Sequence, residues 1–273
     1  MYLSKRIVFV NKNNTIGYST ATDRKRLNFI IEQLNVGIPS GGRVLDIGCG
    51  NGIISIELGR LKYQVHGIDI SEKAIAKAQA INTLNNVKFD VKDAETLISE
   101  NQLYDAIICS EVLEHLRDPA HLLQSLHKIL KRDGKLIVTV PNGRGPRETL
   151  VTKPTLKLRK QNSWAWRVLF KLKKGLGYSG YTVQSDAEDL DHVQFFSKED
   201  LSRLSLNNNF VITSFNNSNF VEDVFPFSLL TKRIYTLQKL DCRLADYLPH
   251  SWTGGFNMVW VKRLSKQEDE LRI

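Results

Sequence analysis

The segment Val44-Leu45-Asp46-Ile47-Gly48-Cys49-Gly50-Asn51-Gly52 ends an apolar run on a carboxylate and then places glycine at every second position. Glycine tolerates positive φ and lets a ligand lie against bare backbone. The spacing is G-x-G-x-G, not the G-x-G-x-x-G of a dinucleotide loop, and Asp46 would repel a pyrophosphate while attracting an ammonium or sulfonium group. A second acid, Asp69, closes the run Val65-His66-Gly67-Ile68-Asp69, 21 residues after Gly48. A carboxylate there can accept hydrogen bonds from both hydroxyls of a ribose. Asp69 alone would suit a nucleotide-dependent reductase equally well; the turn spacing and Asp46 argue against that reading.

The same order of elements continues. Residues 87–94 read as a third strand and its turn, ending in Asp93-Ala94. Residues 104–109 read as a fourth strand running into Ser110-Glu111-Val112-Leu113-Glu114-His115-Leu116, and residues 135–140 as a fifth that ends in Pro141-Asn142. Over residues 43–142 this series resembles the class I S-adenosylmethionine (SAM)-dependent methyltransferases, type 11 and type 23 among them, with weaker similarity to about residue 215. The resemblance implies a Rossmann-like, doubly wound sheet of seven strands, the last antiparallel, with helical lid insertions. It also implies SAM as cofactor. Cofactor contacts then fall on Asp46, Gly48, Cys49, Gly50, Gly52, Asp69, Ile70, Asp93, Ala94, Ser110 and Glu111, with Asp46 toward the methionyl part, Asp69 on the ribose and Asp93 on the adenine amino group.

Methyl transfer from a sulfonium is an in-line displacement, so positioning and water exclusion carry most of the catalysis. A general base adds roughly 10²–10⁴-fold when the acceptor is a hydroxyl. His115, just after the fourth strand, is the first candidate, since an imidazole titrates near ~6.5. His192, in Asp189-Leu190-Asp191-His192-Val193-Gln194-Phe195-Phe196, is the second. Each has a structural alternative: His115 as a cap on the strand end, His192 as a packing residue at a helix entrance, and Asp93 likewise as an ordinary helix cap. The Glu111-x-x-Glu114-His115 arrangement also looks like that of quinone-biosynthesis O-methyltransferases, in some of which the cluster is linked to a divalent cation. The same letters occur in methyltransferases without metal, and no metal ligand is assigned here.

Around these residues the chain alternates strands and helices, which calls for a parallel sheet covered on both faces. Residues 22–35 form a lead-in helix, Ser71 caps a core helix, and Asp118-Pro119 opens a helix that buries Leu122, Leu126, Ile129 and Leu130. Arg132-Asp133-Gly134 is expected to turn the chain into the fifth strand. Ser197 starts a helix, a sixth strand lies near residues 210–215, and the last spans residues 256–263 before a frayed charged tail. The whole reads as one methyltransferase domain: an N-terminal helical segment at 1–36, a SAM-binding core at 43–142, a basic lid insertion at 143–196, and a C-terminal half at 197–265 that carries a helical insertion at 217–255.

The net charge of +9 is local. Ten basic residues and one acid lie between Arg144 and Lys174, leaving 28 basic and 28 acidic residues elsewhere. Residues 164–176 are amphipathic at helical spacing, with Arg167, Lys171 and Lys174 opposite Val168, Leu169 and Leu172. This insertion is a lid, a contact for an anionic membrane surface, or a solvated face on a packed helix. Nucleic acid is the lesser option, because no recognisable RNA-binding module accompanies the charge. Three cysteines at unrelated spacings indicate neither a disulfide framework nor a zinc site. Without an apolar run of about 18 residues or a leader pattern, the expected location is cytoplasmic. The preferred acceptor is a small molecule: a phenol, quinone precursor or sugar-like metabolite. A lipid-linked or macromolecular substrate, or a non-catalytic SAM-binding protein, are the alternatives.

Overall fold

The computed structural model describes residues 20–94, 102–154, 193–222, 224, 227–231 and 234–263. The basic stretch at 164–176, His192 and the tail after Lys266 lie outside the described residues.

Seven strands form one sheet: β1 (Arg43–Ile47), β2 (Gln64–Asp69), β3 (Val87–Val91), β4 (Tyr104–Ser110), β5 (Leu130–Pro141), β6 (Phe210–Asn217) and β7 (Gly255–Lys262). Their order is β3-β2-β1-β4-β5-β7-β6, parallel except for β7, which runs antiparallel to both β5 and β6. The order reverses between β1 and β4, and ligands in such sheets bind at the carboxyl ends of the strands at that point. The expected architecture is therefore present.

Strand alternation divides the core into two. One face carries Leu45, Ile107, Leu136, Val138, Met258 and Trp260 under α4 (Pro119–Ile129) and α5 (Lys198–Asn207). The other carries Val44, Val65, Ala106, Ile108, Ile137 and Val259 under α1 (Ala21–Asn35), α2 (Ile53–Arg60) and α3 (Glu72–Ile81). On α1, Phe29, Ile30 and Leu34 are buried against this second face, each worth about 1.5–3 kcal/mol of transfer free energy. Helix starts follow the sequence signals. Ser71 accepts from the Ala74 N–H, Asp118 from Ala120 and His121, and Ser197 forms a reciprocal capping box with Asp200.

One boundary differs from expectation. β5 begins at Leu130, directly after α4, and Arg132-Asp133-Gly134 lies within the strand. The Tyr104–Leu130 pair and a register shift before Ala106–Lys135 absorb those residues as an irregularity in the ladder. The helical pattern after residue 227 resolves into α6 (Phe227–Thr231) and α7 (Tyr235–Tyr247).

Both insertions leave from the carboxyl edge, since Pro141 pairs with Gly255 and Asn217 with Phe256. The base of the first is closed by backbone bonds: the Gly143 N–H donates to the Phe196 carbonyl, and Val193 and Gln194 both donate to the Glu114 carbonyl at 2.9 Å. The insertion therefore begins and ends beside the turn after β4.

Gly52, the residue before α2, sits at φ +78, and a Cβ there would meet Phe89 Cζ at 2.5 Å. Both the backbone conformation and the packing exclude a side chain. Gly52→Ala is expected to destabilise the fold by about 2 kcal/mol, read from the urea unfolding midpoint at unchanged m-value.

Candidate functional site

The turn after β1 is built from left-handed glycines. Gly48, Gly50 and Gly52 have φ of 64°, 54° and 78°. A Cβ on Gly48 would approach Val112 Cγ2 to 2.6 Å, which ties this turn sterically to the segment after β4. The Cys49 N–H donates to Ile68 O in β2, and the Gly50 N–H donates to Asp69 Oδ2 at 2.9 Å. The other oxygen of Asp69 accepts from the Ser71 N–H at 2.8 Å. One carboxylate thus joins the glycine turn to the start of α3, and each oxygen retains a lone pair for a ligand hydroxyl.

Asp46 is 1% exposed and faces α2, where the Ser55 hydroxyl donates to its Oδ2 at 2.6 Å. Burial pushes its carboxyl up to about 7; the Ser55 bond pulls it down and the Asp69 charge pushes it up further. Next to Asp69, Ile70 leaves 72% of its surface exposed, an apolar side chain at a polar edge. Asp93 is exposed and Ala94 buried, just past the end of β3. Burial also drives the Cys49 and Cys109 thiols far above their ordinary range, so both pack as small apolar groups.

At the end of β4, Glu111 adopts φ +56, a left-handed conformation rarely taken by a glutamate. Its side chain is held on two sides. The Thr139 hydroxyl donates to Oε1 at 3.0 Å, and Arg26 Nη2 lies 3.5 Å from Oε2. Ser110 Oγ lies 2.9 Å from Thr139 Oγ1. A short 3₁₀ turn (Leu113–His115) follows, in which Glu114 is buried. Burial raises its carboxyl well above the usual range, and the neighbouring Glu111 charge raises it further. The His115 ring approaches it, Nε2 to Oε1, at 3.8 Å.

The structure therefore gathers Asp46, Gly48, Cys49, Gly50, Gly52, Asp69, Ile70, Ser110 and Glu111 at the carboxyl ends of adjacent β2, β1 and β4, with Asp93-Ala94 beyond β3 and His115 beyond β4. Among the described residues, no three His, Cys, Asp or Glu side chains converge as a metal-binding group. The donor set fits an adenosyl sulfonium: two carboxylates, a bare-backbone turn, and an exposed apolar side chain beside Asp69. Arg26 and Thr139 were not singled out by the sequence pattern. For Arg26 a signal existed, because it precedes Ile30 and Leu34 at i, i+4, i+8 and so shares the buried stripe of α1.

Comparison with known proteins agrees. A family model described as a methyltransferase domain matches residues 22–214. The ubiquinone biosynthesis O-methyltransferase of Xanthomonas axonopodis pv. citri is 35% identical over 120 residues, covering 43% of this chain and 49% of that protein. The protein of the same name from Coxiella burnetii is 35% identical over 119 residues, 43% of this chain and 50% of that protein. The match spans about half the length of these curated relatives. Among solved structures, magnesium protoporphyrin IX methyltransferase from Synechocystis PCC 6803 with bound SAM aligns at TM-score 0.52 and 17% identity, over 88% of this chain and 80% of that one. The [4+2]-cyclase SpnF aligns at TM-score 0.55 and 16% identity, over 93% and 86%; likenesses at this level establish the fold only. The family match and the site geometry place this chain in the methyltransferase-domain family, as a class I SAM-dependent methyltransferase.

Proposed function

We propose that the enzyme methylates an oxygen of a small-molecule acceptor: a phenol, a quinone precursor or a sugar-like metabolite. The observation that carries this reading is His115, in the short turn just past β4, with the carboxyl of the buried Glu114 3.8 Å from its Nε2. Relatives named O-methyltransferases over the matched half support the choice of oxygen.

Bound SAM supplies an electrophilic methyl group on sulfur. Asp69 holds the ribose while its backbone bonds keep the glycine turn shaped. Ile70 covers the adenine face and Asp93 accepts from the adenine amino group. Asp46 sets the electrostatics around the methionyl part from beneath the turn. His115 takes the proton of the acceptor hydroxyl as the new C–O bond forms, the C–S bond breaks and S-adenosylhomocysteine leaves. The base of the 143–196 insertion, pinned on Glu114, excludes water from that side. His192 lies just before Val193 in the chain and is the second candidate base.

A lipid-linked acceptor is favoured by one specific feature. Leu237, Leu240, Leu244 and Tyr247 of α7 recur at helical spacing and are all exposed. Under that reading, reversing charge at Arg167, Lys171 and Lys174 abolishes liposome binding together with activity; under the preferred reading it leaves turnover of a soluble acceptor within about twofold.

Three outcomes test the site. Asp69→Ala weakens SAM binding about 30-fold by calorimetry, for the loss of roughly 2 kcal/mol of carboxylate hydrogen bonds. His115→Ala lowers kcat on a phenolic acceptor by about 10²–10⁴ with SAM affinity retained; an unchanged kcat would leave positioning alone as the source of rate. SAM affinity is also pH-dependent through Asp46. A cationic ligand prefers the ionised carboxylate, so binding releases a proton when the free carboxyl is protonated. Affinity should fall as pH drops below about 7 and level off above it. Ser55→Ala, which removes a bond to the carboxylate form, should move that break to higher pH.

A further inference from the structure

A polar row crosses the sheet just behind the expected transfer point. Ser110 pairs with Thr139, Thr139 with Asn257, and Asn257 with Asn216, so these residues share a level and a face across β4, β5, β7 and β6. The first part of the row is bonded, through Ser110, Thr139, Glu111 and Arg26. The next position is not. Asn257 is 1% exposed, and both its amide nitrogen and its amide oxygen lack a hydrogen-bond partner among the described residues. Two unsatisfied polar atoms under a helix cost about 1–3 kcal/mol each, which is unusual unless a ligand or water meets them.

Asn257 lines a cavity of about 40 Å³, together with Arg26, Arg147 and Glu111. One water needs roughly 10–15 Å³ by this measure, so the cavity admits a group of a few heavy atoms and not an aromatic ring. Two guanidinium groups face one carboxylate in it. Glu111 is held by Arg26 and Thr139, whereas among the described residues no carboxylate is paired with Arg147. Arg147 belongs to the start of the 143–196 insertion and Glu111 to the end of β4, so the cavity lies between the transfer point and the base of that insertion. A planar anion with two oxygens meets this lining: a guanidinium fork on one side and an amide N–H on the other.

We propose that this cavity binds a carboxylate carried by the methyl acceptor, making the substrate a hydroxy acid anchored by Arg147 and Asn257, with Arg26 completing the positive wall. The assignment rests on the reading that the acceptor is a small hydroxylated molecule. It adds the charged group by which that molecule is oriented. Arg26 and Arg147 are binding residues; the proton still leaves through His115.

The experiment uses the full chain saturated with S-adenosylhomocysteine and an isosteric probe pair, 3-hydroxybenzoate and 3-hydroxybenzamide, followed by calorimetry. The acid is expected to bind at least 10-fold more tightly than the amide. Arg147→Gln should bring the two within about twofold, while cofactor affinity and the melting curve stay unchanged. Asn257→Asp, which places a second negative charge in the cavity, should abolish binding of the acid and spare the amide. Equal affinities for the pair, a 10-fold preference that survives Arg147→Gln, failure of the acid to bind while S-adenosylhomocysteine still does, or tighter binding of inorganic phosphate than of the acid would each overturn the carboxylate assignment. The two levels of the argument fail separately. Methyl release from hydroxylated acids and amides alike would keep O-methylation and remove the anion pocket. Arg147-dependent acid binding without turnover of any hydroxylated compound would keep the pocket and remove O-methylation.

Discussion

The carboxylate of Asp69 is the joint on which the cofactor half of the molecule depends. It ends β2, yet its two oxygens accept one N–H from the glycine turn after β1 and one from the segment opening α3. Charge-assisted bonds of this kind are roughly twice as strong as neutral ones. They also fix the gap between two adjacent βα turns. The glycines make this possible by adopting φ near +60°, and the close approach of Gly48 to Val112 transmits the shape of the turn to the neighbouring strand. A side chain at Gly48 would separate the cofactor turn from the segment that carries Glu111 and His115. The glycine turn and the segment after β4 are therefore held in register by the contact of the Gly48 backbone with the Val112 side chain.

A second constraint is electrostatic. Asp46, Asp69, Glu111 and Glu114 crowd one edge, and four ionised carboxylates in a partly dry crevice would repel strongly. The chain resolves this in two ways. Asp46 and Glu114 are buried, and burial raises both carboxyls, that of Asp46 to about 7, which favours their uncharged forms. Glu111 accepts from the Thr139 hydroxyl and faces the Arg26 guanidinium. What remains is a graded field, negative toward the glycine turn and balanced toward β5. A sulfonium donor is attracted to the first region.

Much of this was legible in the residues. The order and spacing of the strand-end acids, the glycine turn and the capping serines gave the fold, the cofactor edge and nearly every helix start, because each depends on local chemistry within a few positions. Two things were obscured for physical reasons. The start of β5 was hidden because Lys131-Arg132-Asp133-Gly134 has turn composition, while the tertiary ladder from Tyr104 draws it into the strand; pairing overrides local preference. Arg147 and Asn257 were missed because they reach the cavity from distant parts of the chain, and no local pattern marks an arginine or asparagine that will meet one. Arg26 was the exception in kind: a charged residue on the apolar stripe of a helix signals that something polar waits beneath.

The two halves of the site also differ in how freely they can change. The cofactor half is made of backbone and of acids that bond to backbone, so a substitution there disturbs the turn itself. The half proposed for the acceptor draws on β5 and β7, and its polar atoms are side chains on a shared row of the sheet. Thr139 and Asn257 occupy positions where Ile137 and Val259, two residues away on the same face, are ordinary core. At Asn257 an apolar residue would pack at no cost in hydrogen bonds, since neither of its amide atoms has a partner among the described residues. An unsatisfied amide beneath α1 is a standing destabilisation of the free protein, which a ligand that completes its hydrogen bonds would relieve on binding. Under the proposed assignment the row is a specificity device: it favours an acceptor bearing matching polar atoms and penalises one that fills the same space with hydrocarbon.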